Sequence, residues 1–228
     1  MAKRRNKKAQ EETLVDLAQK SEQAQDFYSS NQNLILGGLF AAVLLFGGFY
    51  LWNSMKNSKV GEAIEAIAQA ERMFERDSFA IALSNPGGGS LGFLDIADQY
   101  SGTTTGNLAN YYAGVSYLQL GQFNAALSYL NDYSPDGSVL PITYYGVLGD
   151  VHSEKGDLSA AESNYKKAIA QGSNDFLVAY YMKKLGLLYE HQGNGAQAKA
   201  TFEDLRKKYP NSPEGQDIEK YISRVNVN

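Results

Sequence analysis

Apolar and polar residues divide this chain into two regimes. From Leu34 to Trp52 runs LILGGLFAAVLLFGGFYLW, nineteen residues without a charge. At about 1.5 Å per residue, that length crosses a hydrocarbon core of about 30 Å. A helix buried in a soluble core would keep a polar face, and this stretch has none. A transmembrane anchor is therefore predicted over 33–55, with Tyr50 and Trp52 as interfacial aromatics at one end. Beyond residue 56 the chain reads as short apolar-faced helices separated by polar turns, which predicts an all-α domain over 56–228.

Three stretches of that domain carry one spacing of small residues: Gly114, Gly121 and Ala126; Gly149, Gly156 and Ala161; Gly186, Gly193 and Ala198. The offsets are seven and five each time, and the leading glycines lie 35 and then 37 residues apart. A period in the mid-thirties predicts a solenoid of stacked helix pairs. Gly114, Gly149 and Gly186 sit inside apolar stretches, where glycine costs a helix about 1 kcal/mol relative to alanine. The missing side chain is expected to admit a facing helix, with Ala126, Ala161 and Ala198 as its small partners. Gly121, Gly156 and Gly193 fall where the periodicity breaks, in LGQF, KGDL and QGNG, and suit the left-handed position that ends a helix.

These residues resemble the tetratricopeptide repeat, whose pattern runs aromatic, Leu-Gly, aromatic, Ala, aromatic, Ala and Pro. The third copy carries it most fully, in Leu185, Gly186, Tyr189, Gly193, Ala198, Phe202 and Pro210. The second keeps Tyr145, Leu148, Gly149, Ala161, Tyr165 and Ala168 but has His152 at an aromatic position. The first keeps Gly114, Tyr117, Ala126 and Leu130, with Asn110 where a large aromatic belongs. Upstream, Ile96 to Tyr100 echoes Leu205 to Tyr209, so FLDIADQYSGTT reads as the second helix of a degenerate fourth copy. Its partner helix is expected near residues 60–77, separated by the insertion SNPGGGS. Glu214 to Val225 reads as a capping helix with Ile218, Tyr221, Ile222 and Val225 on one face. The fold expected is thus three clear repeats, one degenerate repeat and a cap behind a single membrane helix.

Two readings of the apolar run compete, an anchor and a cleaved signal peptide. The preceding segment is more than thirty residues long and carries Glu11, Glu12, Asp16, Glu22 and Asp26, and no small-x-small cleavage site follows, which favours the anchor. Lys3, Arg4, Arg5, Lys7 and Lys8 precede the span and only Lys56 and Lys59 closely follow it, which places the N-terminus in the cytoplasm. Segment 1–32 is read as cytoplasmic. Leu14, Leu17, Ala18, Ala24 and Tyr28 have helical spacing, so it reads either as an amphipathic helix or as a solvated tail. Within the span, Gly37 with Ala41 and Gly38 with Ala42 are small residues four apart, a spacing that lets membrane helices touch.

Composition narrows the chemistry. The chain is 43% hydrophobic, yet its mean hydropathy is negative because one apolar span is averaged with polar helices. Beyond residue 56, 14 lysines and arginines face 20 acids, a formal charge of −6, which argues against nucleic acid as a ligand. The absence of cysteine removes disulfides, thiol catalysis and thiolate metal sites. The two histidines, His152 and His191, lack metal-ligand spacing. SNPGGGS lacks the Lys and Ser/Thr of a phosphate loop, and no nucleophile and base arrangement is visible. The expectation is a non-enzyme without cofactor or metal.

In tetratricopeptide arrays the first helix of each repeat lines a concave groove. Carried onto this chain, the resemblance implies a groove of Leu108, Tyr111, Val115, Leu118 and Gln119; Thr143, Gly146, Asp150, Ser153 and Glu154; and Tyr180, Lys183, Leu187, Glu190 and His191. Two readings of the apolar first set remain open: a lining for an extended or helical peptide, or packing of Tyr111, Val115 and Leu118 against the upstream repeat. The pairs Tyr111–Tyr112, Tyr144–Tyr145 and Tyr180–Tyr181 occupy different registers, and helix packing is expected to account for most of them.

The layout as a whole is similar to the YfgM-like membrane proteins of Gram-negative bacteria, with a longer N-terminal segment and the SNPGGGS insertion as departures. That resemblance implies an ancillary subunit of the SecYEG translocon at the inner membrane, its repeats in the periplasm. There it would work beside a PpiD-type membrane-anchored chaperone on exported clients. The alternatives are a structural adaptor in another envelope or secretion complex, or an envelope-stress regulator.

Overall fold

The computed structural model describes residues 30–32, 41, 43–49 and 61–225. The chain divides into two compact units, Met1–Asn57 and Ser58–Asn228. In the first, residues 30–32, 41 and 43–49 are helical, and Val43, Leu44, Leu45, Phe46 and Phe49 are all at least 60% exposed. Among the described residues no helix is long and apolar enough to cross a membrane. Much of the predicted span lies outside them, as do Gly37, Gly38 and Ala42; Ala41 is helical and exposed. Residues 1–29 also lie outside the described residues.

The second unit is a succession of helices. A first helix, α1, covers 61–74, and is followed by α2 (Phe79–Ser84), α3 (Phe93–Gln99), α4 (Thr104–Gln119), α5 (Phe123–Asp132) and α6 (Leu140–Glu154). Then come α7 (Leu158–Ala170), α8 (Asp175–His191), α9 (Gly195–Lys208), α10 (Pro213–Asp217) and α11 (Glu219–Val225). From α3 to α9 each helix packs on its sequence neighbours, while α4 touches α6 and α6 touches α8. This is the near-one-dimensional connectivity of a solenoid, in which stacking closes a core that no single pair could bury.

The glycine pattern is explained by what fills each notch. A methyl at Gly114 would lie 2.6 Å from Leu130 Cγ, at Gly149 2.5 Å from Tyr165 Cδ1, and at Gly186 2.2 Å from Phe202 Cε1. Ala126, Ala161 and Ala198 are fully buried as expected, but the large side chain one turn further along the second helix enters the notch. The expectation of small facing small is corrected accordingly: each glycine receives a large residue sixteen positions on. Gly121, Gly156 and Gly193 have φ of +72°, +79° and +73°. Around Gly193, its own N–H donates to Glu190 O (3.0 Å) and Asn194 N–H donates to Tyr189 O (2.8 Å). The same pair of bonds ends α4 at Gly121 and α6 at Gly156, satisfying carbonyls that the helix end would otherwise orphan.

The upstream echo extends well beyond five residues. Thr103 Oγ1 donates to Tyr100 O (2.7 Å) and accepts from Gly106 N (3.0 Å). Ser212 Oγ likewise donates to Tyr209 O (2.9 Å) and accepts from Gly215 N (2.9 Å). A Cβ at Gly106 or at Gly215 would sit 2.1 Å from the carbonyl oxygen of the corresponding tyrosine, so both turns demand glycine. Phe93 stacks on Tyr112 at 4.9 Å, and Phe202 meets Tyr221 at 5.6 Å, each partner 109 residues from its counterpart. Thus α3 with the start of α4 repeats the arrangement of α9 with α10 and α11. The predicted cap breaks at the fully buried Ile218 and follows the path of a further first helix.

In the insertion SNPGGGS, Ser84 ends α2 and the remaining residues form a loop in which Gly87, Gly88 and Gly89 all have positive φ. Gln69 Nε2 ties it to α1 by donating to Pro86 O (3.0 Å). The short helix α2 just before it had no counterpart in the expected repeat; its Ala82 and Leu83 join Ile67, Phe93 and Ala109 in one core.

Candidate functional site

The C-terminal turns of α4, α6 and α8 border a concavity of about 570 Å³. Leu118 and Gln119 line it from α4, Phe123 from α5, Asp150, Ser153 and Glu154 from α6, Tyr165 from α7, and Lys184, Leu187, Leu188 and His191 from α8. The glycine-ended helices set this up, because each first helix stops at an equivalent point and leaves its last turn facing the same space.

Asp150 organises the floor. Its carboxylate accepts from Lys184 Nζ at 2.7 and 2.8 Å and from Tyr165 Oη at 2.7 Å, joining α6, α7 and α8. The Asp150 and Lys184 side chains are 20% and 28% exposed. Burial alone would lower the Lys184 pKa, but the Asp150 charge and the hydrogen bonds to Asp150 and Tyr180 outweigh it and raise the ammonium above its ordinary value. Burial first, then the adjacent Asp150 charge, push the Tyr165 phenol far up, so it stays a neutral donor. Such a charge-assisted arrangement fixes one repeat against the next.

Of the residues that the resemblance implied for a groove, Leu118, Gln119, Asp150, Ser153, Glu154, Leu187 and His191 meet here. Leu108 packs against the core of α1 to α4. Tyr111, Val115 and Leu118 pack against Ala126, Leu130, Val147, Leu148 and Val151. They thus pack on α5, the second helix of their own repeat, and on the downstream α6. Gly146 is buried under Tyr181, whose Cζ a methyl there would approach to 1.8 Å. Lys183 lies over the Tyr221 ring at 5.2 Å, and Glu190 receives two hydrogen bonds from Arg224 at 2.5 Å, so α11 engages both. Tyr180 is 40% exposed and meets the edge of Tyr181 at 5.0 Å.

The tyrosine pairs are joined through a residue outside them. Tyr133 sits 5.2 Å from Tyr111 and 5.6 Å from Tyr144, linking two pairs into a ladder at the α4–α6 junction. Lys184 was invisible to a position-by-position transfer because it lies one residue past Lys183. A charge opposite to Asp150 about one repeat later, on the neighbouring first helix, is the signal that finds it. His152 is half-buried, with Nδ1 3.7 Å from Asp157 Oδ2 and no hydrogen-bond partner. Among the described residues, no three metal-ligating side chains converge.

Residues 184–212 match the family model described as tetratricopeptide repeat. The matched stretch runs from Lys184 in α8 through α9 to the Ser212 turn, the copy whose residues carry the motif most completely. No curated protein matches the chain. The chain thus carries a tetratricopeptide repeat in an all-helical stack, an architecture that supports protein partners generally.

Proposed function

We propose that this protein is a non-catalytic interaction subunit tethered to the bacterial inner membrane by the apolar segment 33–55, its N-terminus cytoplasmic and its repeats periplasmic. It would serve the SecYEG translocon beside a PpiD-type membrane-anchored chaperone, meeting exported clients through the concavity between α4, α6 and α8. The observation that carries this reading is a juxtaposition in one chain: an uncharged nineteen-residue apolar run, Leu34 to Trp52, followed by an all-helical stack that carries a tetratricopeptide repeat. The high exposure of Val43, Leu44, Leu45, Phe46 and Phe49 supports a lipid environment, since a contiguous exposed apolar surface is disfavoured in water. The repeats supply what a translocon accessory needs, a rigid scaffold with a grooved face.

Extraction of the tagged full chain in mild detergent, followed by identification of co-purifying proteins, tests the reading. Recovery of SecY together with a PpiD-type chaperone is expected. A preparation devoid of every Sec component overturns the translocon assignment.

A further inference from the structure

Resting on that proposed role of the concavity, we propose that its occupant is a cationic, apolar stretch within a polypeptide and not a free C-terminal carboxylate. The lining holds one permanent cation, Lys184, and it is engaged by both Asp150 oxygens at 2.7 and 2.8 Å with its ammonium 4.9 Å from the Tyr180 ring centroid. A peptide carboxylate arriving there would have to displace Asp150 or face its charge.

The surrounding wall has the opposite character. Of the seven acids in the 78 residues from Asp77 to Glu154, a run without lysine or arginine, Asp150 and Glu154 line the concavity. Within that run α4 carries no charged side chain, and α6 contributes Asp150 and Glu154. Once Asp150 is paired with Lys184, Glu154 remains on the rim, exposed and without an ion pair among the described residues. The neighbouring Lys155 amine is turned to Asn124 Oδ1 at 2.5 Å. Leu118, Phe123 and Leu187 supply apolar lining to the same concavity. An occupant that complements this surface inserts one or two large apolar side chains and places a lysine or arginine beside Glu154. Its charge gives selectivity, and its apolar side chains give most of the affinity.

The test uses the full chain in nanodiscs of phosphatidylcholine, which offers no anionic lipid to compete. Fluorescence anisotropy follows two short capped peptides, leucine alternating with lysine in one and with glutamate in the other. The lysine peptide is expected to bind about three- to tenfold more tightly at low salt, with the ratio falling toward unity as salt rises or when Glu154→Gln is introduced. Leu187→Asp should weaken both peptides, and a free C-terminal carboxylate should bring no gain. Equal binding, preference for the glutamate peptide, or tighter binding of the uncapped form overturns the charge assignment while leaving the groove in place. Failure of both peptides, or binding indifferent to Leu187→Asp, removes the groove itself and this inference with it.

Discussion

Gly186 and Phe202 are a fitted pair: a methyl on the glycine would lie 2.2 Å from the Phe202 ring, closer than unbonded carbons can approach. The relation repeats as Gly149 with Tyr165 and Gly114 with Leu130, which makes this contact the unit from which the stack is built. Helix propensity alone predicts that Gly186→Ala gains about 1 kcal/mol. Overpacking a closed core costs about 1–3 kcal/mol, so the variant should show no gain and a net loss of up to about 2 kcal/mol of stability in urea denaturation followed by circular dichroism. Gly61→Ala, with open space around it, should be neutral or slightly stabilising.

The ion pair under the groove should couple two repeats. Lys184→Met alone leaves Asp150 with only the Tyr165 hydroxyl, and Asp150→Asn alone leaves Lys184 without its counter-charge. Each should cost about 1–3 kcal/mol, less than a fully buried pair because both side chains keep some solvent contact. A double-mutant cycle should show coupling above about 0.5 kcal/mol. Strict additivity would mean that the pair is ornamental.

Ser116 is an opportunity to stabilise the protein. It is fully buried and its hydroxyl has no hydrogen-bond partner, at a position where the next two repeats have the buried apolar residues Val151 and Leu188. Ser116→Ala removes an unsatisfied polar atom without breaking a bond, and should raise stability by about 0.5–1.5 kcal/mol. A loss of similar size would reveal that the hydroxyl is bonded in solution.

Alkaline pH should unfold the stack before mild acid does so through these groups. Burial raises the phenols of Tyr111, Tyr165 and Tyr181, and burial with the Glu71 charge pushes Tyr112 up to about 12. Lys184 is raised as well, by Asp150. For every one of these the folded pKa exceeds the unfolded value of about 10. The folded state therefore holds more protons in that window, and its stability is complete below about pH 10 and falls as pH rises toward 12. Denaturation midpoints should be level from about pH 7 to 9 and drop steeply above 10; a level midpoint through about pH 11.5 would contradict this.

The helical pairs, their glycine-ended turns and the degenerate upstream copy were legible in the chain because each rests on local rules: left-handed glycine, helical period and repeat spacing. What filled the glycine notches was not, since Leu130, Tyr165 and Phe202 look like ordinary apolar residues until the second helix is placed. The concavity takes in residues of the expected groove registers only toward the C-terminal ends of α4, α6 and α8. Lys183 and Glu190 occupy groove registers, yet Tyr221 and Arg224 of α11 engage them from the position of a further first helix, about one repeat on, where the sequence reading placed only a cap. Conversely, Lys184 and Tyr165 enter the site through Asp150, a meeting of three helices that depends on the crossing of one repeat over the next.

In-cell photocrosslinking from Leu187 in the concavity, compared with Ser223 on the exposed face of α11, reads out directly whether the concavity meets export partners. Adducts to SecYEG subunits, a PpiD-type chaperone or an exported client are expected from Leu187, lost on Leu118→Asp, and none of these from Ser223. Adducts confined to the protein's own chain, or the same partners captured equally from Ser223, would contradict the proposed role of the concavity.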